Sequence, residues 1–331
     1  MNRTVRAAVC AAYGPPEVVA IADVAAPAPG PGQARVRVEA AAVNFPDVLL
    51  VAGEYQVRVP PPFVPGSELA GVVVEVADDV TGVRVGDRVF ASTMVGAFAE
   101  EATVAAASLT RIPEGVDAAT AAAFGVAHRT AYHSLRSVAE LRPGQELVVL
   151  GAGGGVGLAA VQLGALLGAT VTAVASTPEK LDAARAAGAT RTVEHRTHDV
   201  RATLKELVPG GTDVVLDPVG GDLAEAALRS LRPGGRFVTV GFASGTIPRI
   251  PLNLVLIKAV TVVGFEFLDF MTRRPADAAR DERELLGLLA EHRARPHIGA
   301  RFALDEAAAA LRHVADGRAI GKVVVEVQPP V

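Results

Sequence analysis

The run Leu150-Gly151-Ala152-Gly153-Gly154-Gly155-Val156-Gly157-Leu158 constrains this chain more than any other stretch. It follows an apolar segment, Glu146 to Leu150, of the right length for a buried strand, and it precedes residues 156–167, whose apolar spacing is helical. A glycine run by itself could be an ordinary tight turn. Between a strand and a helix it has a further use, because free N–H groups at a helix start face an anion. Gly154 would let the backbone approach a pyrophosphate, Gly157 would let helix and strand pack closely, and Gly155 and Val156 lie between them. The register is A-x-G-x-x-G, with Ala152 where many such turns begin on glycine.

The rhythm that starts here repeats. TVTAVA precedes a helical pattern from Pro178 to Ala187, and TDVVL precedes one from Asp222 to Leu231. Further strands fit Arg191 to Glu194, Arg236 to Val240 and Val260 to Gly264, which completes six. Alternation of this kind predicts a doubly wound parallel sheet, the Rossmann arrangement. Residues 1–125 are different: short valine-rich alternating runs broken by Pro and Gly predict a β-rich domain. After Phe265 the α/β rhythm ends. A helix is expected around Asp281 to His292, and a last strand, Lys322 to Val327, is expected to return to the first domain. The expected division is therefore 126–265 for the cofactor domain, with 1–125 and 266–331 forming the other.

The end of the second strand discriminates between cofactors. NAD-binding sheets put a carboxylate there for the ribose 2′-hydroxyl. This chain reads Val174-Ala175-Ser176-Thr177-Pro178-Glu179-Lys180. Ser176 and Thr177 can bond a 2′-phosphate and Lys180 can neutralise it, so NADPH is expected over NADH. The same residues would also make a helix N-cap with a solvated lysine, and both readings can hold together.

Composition excludes several other functions. A net charge of −4, with no long basic run, gives no footprint for nucleic acid. Seven glycines interrupt the most apolar stretch, Leu147 to Ala175, so no membrane span is expected. Cys10 is the single cysteine, which rules out an intrachain disulfide and fits a reducing cytoplasm.

Taken together, AAVNFPDVLLVAGEY, VPGSELAGVVVEV, VGDRV, GGGVGLAAVQLGALLGA, DPVGG, VGFASG and the closing GKVVVEV resemble the quinone oxidoreductase (zeta-crystallin-like) branch of the medium-chain dehydrogenases, over essentially the whole chain. The resemblance implies a GroES-like β-rich catalytic domain joined to a Rossmann NADPH-binding domain. It also implies a homodimer paired through the edge strand, residues 259–264. Ser67 falls where zinc-dependent relatives carry a metal-site histidine, and serine is a poor zinc ligand. Glu68 beside it is read as structural, although a ligand role is the alternative. No metal is expected.

By the same resemblance Asn44 should contact the ribose near the nicotinamide, with Thr130 near that ring. Val240, Gly241 and Phe242, past the fifth strand, and Phe265, past the sixth, would line its other side. His195 falls where family members place a tyrosine near the 2′-phosphate, and an exposed loop histidine is an equal alternative; Arg318 falls where an arginine can reach that phosphate. Tyr55 matches the tyrosine directed into the acceptor pocket, while Leu49 replaces a second tyrosine found in some relatives. Tyr55 and Asn44 are thus the candidate catalytic residues. His128 and His133 could donate protons or simply pack, and Asp47 and Asp87 read as capping or turn groups.

The expected activity is hydride transfer from NADPH to a quinone, whose product anion is delocalised. An enone or enoyl thioester is the nearest alternative, and a non-catalytic NADPH-binding protein of the crystallin kind is the third. A coenzyme A substrate would need basic groups such as Arg58, Arg129, Arg273 and Arg274.

Overall fold

The computed structural model describes residues 3–328. Within them the chain forms two compact units, one up to Val126 and again from Ile298, the other from Ala127 to His297. The first unit opens with the antiparallel ribbon β1 (Thr4–Cys10) and β2 (Val19–Ala25). Strand β3 (Gln33–Val43) leads into helix α1 (Phe45–Ala52), followed by β4 (Glu68–Val76), β5 (Arg88–Ser92), β6 (Glu101–Ala105) and β7 (Thr110–Arg111). Strands β3 and β4 approach so closely that a Cβ on Gly71 would lie 2.0 Å from the Arg37 carbonyl oxygen. Only glycine fits there.

Helix α2 (Ala118–His133) carries the chain into the second unit. There β8 (Glu146–Leu150), α3 (Gly155–Leu166), β9 (Thr170–Ala175), α4 (Pro178–Ala186), β10 (Arg191–Glu194) and α5 (Val200–Leu207) alternate. The pattern continues through β11 (Thr212–Asp217), α6 (Asp222–Ser230), β12 (Leu231–Thr239), α7 (Leu252–Lys258) and β13 (Thr261–Gly264). All six strands are parallel, in the order β10-β9-β8-β11-β12-β13. Strand order reverses between β8 and β11, so the glycine turn after β8 sits at the switch point where open α/β sheets take their ligands. Val148, Leu150, Val174, Val215 and Phe237 form the buried centre of this unit, as continuous apolar strands require.

Helices α8 (Phe267–Arg273) and α9 (Pro275–Ala290) complete the second unit. This corrects the expected boundary at residue 266, because residues 266–297 stay with the sheet unit. The reason is side-chain pairing between α9 and the end of α2 with the turn after it: Arg129 with Glu282, His133 with Asp281, and Arg136, just past α2, with Glu284. The chain then returns through β14 (Ile298–Ala303), α10 (Ala307–Ala315) and β15 (Lys322–Glu326). As expected, β15 joins the first unit, antiparallel to β3 in a sheet ordered β14-β15-β3-β4-β5-β7. Among the described residues no helix is long and apolar enough to cross a membrane.

Candidate active site

Two glycines of the turn after β8 differ in what surrounds them. A Cβ on Gly157 would meet the Gly151 carbonyl oxygen at 2.0 Å, which is the close helix–strand packing expected of that position. At Gly154, the N-cap of α3, a Cβ would make only an ordinary 3.5 Å contact with the Gly151 carbonyl oxygen. The N–H groups of the first turn, from Gly155 onward, have no acceptor within the helix, and no side chain caps it. This cradle fits a pyrophosphate.

Strands β9 and β10 end side by side. Ala175 pairs with Glu194, and the next residue, His195, donates its backbone N–H to the Ala175 carbonyl at 3.0 Å. Ser176 and His195 therefore leave the sheet together, and Thr177 caps α4, accepting from the Lys180 N–H at 3.4 Å. Burial lowers the Lys180 ammonium below its usual value, and the Arg196 guanidinium lowers it further. Burial and then Arg196 also lower the His195 imidazole, with Lys180 contributing. Three basic groups thus repel one another at one sheet edge, an arrangement an anion relieves. Arg196 was not among the residues expected from sequence. Its signal was its place one residue after His195.

Beside this edge, a cleft of 760 Å³ opens between the end of β10 and the start of α6, lined by His195, His198, Val200, Gly221, Leu223 and Ile247 among others. On the other side of the switch point, Val240 donates its N–H to Asp217 and Phe265 donates its own to Thr239 at 2.9 Å. The register Thr239 to Gly264 brings Val240 and Phe265 to adjacent strand ends, followed by Gly241 and the partly exposed Phe242. Thr130 lies one helical turn before His133, whose ring stacks on Phe265 at 6.4 Å and tilts against Phe270 at 4.9 Å. His133 Nδ1 pairs with Asp281 at 3.2 Å, and its Nε2 is buried. His128 is also buried, with Nε2 3.3 Å from the Gln162 amide oxygen.

In the first unit Asn44 caps α1 in an extended conformation, and its N–H donates to Asp47 Oδ2 at 2.7 Å, the capping role expected of Asp47. Its side chain belongs to a buried polar cluster. The amide donates to Glu68 Oε1 at 2.9 Å and to Ser67 at 3.2 Å, while its oxygen accepts from Lys322 Nζ at 2.6 Å. Lys322 also donates to Glu68 Oε1, and Glu68 Oε2 accepts the Val126 N–H at 2.7 Å. Both oxygens of Glu68 are thereby committed, which supports its structural role. Burial, the largest influence, pushes the Asp47 carboxyl up to about 7. Asp87 accepts from the Arg84 N–H and from Arg111, as a turn group would.

Tyr55 lies just past the left-handed Gly53 that ends α1, half-buried against the first unit's core. Asn44 and Tyr55 are thus at opposite ends of an eight-residue helix, about 12 Å long. Leu49, on the same helix, is also half-buried. Arg318 pairs with Asp316 at 3.0 Å. Lys322 escaped the sequence reading because it stands at the start of an apolar strand, where a lysine ordinarily reaches solvent. The available signal was Glu68, a carboxylate within a buried run that needs a cation.

Residues 30–114 match the family described as Alcohol dehydrogenase GroES-like domain, and residues 155–285 match Zinc-binding dehydrogenase. The matched stretch 155–285 holds no cysteine. Quinone oxidoreductase-like protein 2 of Bos taurus is 37% identical over 329 residues, covering 99% of this chain and 94% of that protein. The quinone oxidoreductase of Pseudomonas aeruginosa is 37% identical over 320 residues, covering 95% and 97%. The crystal structure of Escherichia coli quinone oxidoreductase complexed with NADPH matches with a TM-score of 0.88 at 27% identity, covering 98% of this chain and 99% of that one. The chain belongs to the medium-chain dehydrogenase/reductase family, among its quinone oxidoreductase-like members, and carries that family's GroES-like and Rossmann domains.

Proposed function

We propose that this oxidoreductase takes NADPH and passes a hydride to a quinone or a similarly delocalised acceptor. The observation that carries the reading is the basic end of β9 and β10. Ser176, Thr177 and Lys180 stand where NAD-specific sheets put a carboxylate, with His195 and Arg196 beside them. Hydroxyl bonds from Ser176 and Thr177 and a charge-assisted bond from Lys180 would hold a 2′-phosphate. The cleft between β10 and α6 would seat the adenine, and the N–H groups of Gly155, Val156 and Gly157 would receive the pyrophosphate.

When bound, NADPH supplies the hydride from its nicotinamide ring. Asn44 is the proposed ribose contact. Both its amide protons are spent on Ser67 and Glu68, and Lys322 takes one lone pair of its oxygen. What it has left is one acceptor site, so it would receive a ribose hydroxyl proton rather than donate. Thr130, Val240, Gly241, Phe242 and Phe265 would wall the ring, and Tyr55 and Leu49 would shape the acceptor pocket. Ser67 and a Glu68 already tied to an ammonium offer no ligand set for a metal, so the acceptor has to delocalise the incoming charge itself. That favours quinones over simple ketones. Three of the four arginines that could hold a coenzyme A phosphate are already paired, Arg129 with Glu282, Arg273 with Asp269 and Arg274 with Asp277. This favours a quinone over an enoyl thioester.

A homodimer through β13 is part of the proposal. That edge strand exposes Val262, and α7 beside it exposes Leu252, Leu256 and Ile257, each at least 75% accessible. An open strand edge flanked by apolar side chains suits pairing across a two-fold axis. Cys10, buried and alone, fits a reducing compartment such as the cytoplasm.

Calorimetry tests the cofactor reading. NADPH should bind at least about tenfold more tightly than NADH, as a charge-assisted phosphate contact implies. Lys180→Glu should erase that preference, and equal affinities in the unmodified protein would contradict the assignment.

A further inference from the structure

Gly153 has none of the reasons that explain its neighbours in the turn. Its φ is not left-handed, the three atoms nearest to a Cβ there all belong to a side chain, and it is not the N-cap. What occupies that side is the stem of Lys180: a Cβ on Gly153 would lie 2.5 Å from Lys180 Cβ, 2.6 Å from Cγ and 2.8 Å from Cδ. The lysine is laid across the glycine along most of its length. Retreat is difficult, because α4 is fixed at its start by the Thr177 cap and Pro178, and along its length by Leu181 and Ala184, both buried.

We propose that Gly153 is a specificity-determining residue, whose missing side chain seats Lys180 and so places the ammonium for the 2′-phosphate of NADPH. The inference rests on the NADPH reading above and adds a residue to it. Gly154 opens the turn to the pyrophosphate that NADH and NADPH share, whereas Gly153 acts only through the lysine that tells them apart. A methyl group at 153 must displace the first turn of α4 or turn the lysine stem aside. Either way the methyl group acts first on the lysine, not on the N–H groups of Gly155 to Gly157 that form the shared cradle.

Gly153→Ala, titrated calorimetrically with NADPH and NADH, is the test. NADPH affinity should fall about tenfold, the value of one charge-assisted contact, while NADH affinity changes less than about twofold. Equal losses for both cofactors would place Gly153 at the pyrophosphate turn and overturn the proposal. A tenfold NADPH preference that survives the substitution would overturn it too, and would leave the NADPH reading intact. Equal affinities in the unmodified protein would instead defeat the underlying reading.

A stability cycle, made without cofactor, tests the contact itself. Gly153→Ala should lower the Tm of the unmodified protein, and the same change in a Lys180→Gly background should lower it much less, because the stem is gone. Identical Tm losses in the two backgrounds would show that the lysine is not what the new methyl meets.

Discussion

Lys322 and Glu68, 254 residues apart in sequence, meet in the interior of the first unit, with Nζ donating to Oε1 at 2.6 Å. Neither side chain is more than 4% exposed. The pair reaches across the end of β3 to tie β15 to β4, and it fixes the Asn44 amide, since an ammonium can only face the amide oxygen. Lys322→Met should therefore destabilise the protein by about 3–5 kcal/mol, the cost of leaving a buried carboxylate without its partner. Urea unfolding measures it. Adding Glu68→Gln should recover much of the loss, and a single-variant loss below about 1 kcal/mol would contradict this account.

Asp47 should give the stability curve a pH dependence of unusual sign. Its carboxyl, wholly buried, faces the Asn44 N–H, Ser67, Lys322 and Glu68, and its pKa moves from an ordinary 3.8 to about 7. Between those values the native state holds a proton that the unfolded chain has released. Stability from this group is therefore greatest below the lower value, falls as pH rises through the window, and levels off above about 7, a change of up to about 4 kcal/mol. Unfolding at several pH values should show that slope in the unmodified protein and a flatter one in Asp47→Asn. Parallel curves would contradict the assignment.

Much of the second unit was legible because its signals are local. The β8 strand, the glycine turn and α3 occupy consecutive residues, and the capping of α4 by Thr177 lies within a few positions. The first unit's site was harder to read. Asn44, Ser67, Glu68 and Lys322 come from three distant stretches, and their hydrogen bonds form only once β4 and β15 lie on either side of β3. Asp47 was read correctly as a cap, but the burial that raises its pKa comes from the assembled cluster. The domain boundary at 266 differs for a similar reason: α9 is held by partners on α2 and just past it, roughly 150 positions earlier, such as Asp281 to His133 and Glu284 to Arg136.

Leu256 tests the assembly. It lies 80% exposed on α7, so Leu256→Lys removes apolar surface without disturbing the interior. Light scattering should show a dimer for the unmodified protein and a shift to monomer for the variant, with a change in monomer stability within about 0.5 kcal/mol, as is usual for surface substitutions. A monomer before substitution, or a dimer untouched by it, would contradict pairing through this face.

The central claim is hydride transfer from NADPH to a delocalised acceptor, and the most direct measurement is the rate of NADPH oxidation with benzoquinone, a small enone and a simple ketone under identical conditions. Benzoquinone should be fastest, the enone slower and the ketone negligible, because only the first two spread the incoming charge. Turnover fastest with the ketone, or no oxidation by any acceptor despite tight NADPH binding, would contradict it, and turnover fastest with the enone would contradict the preference for a quinone.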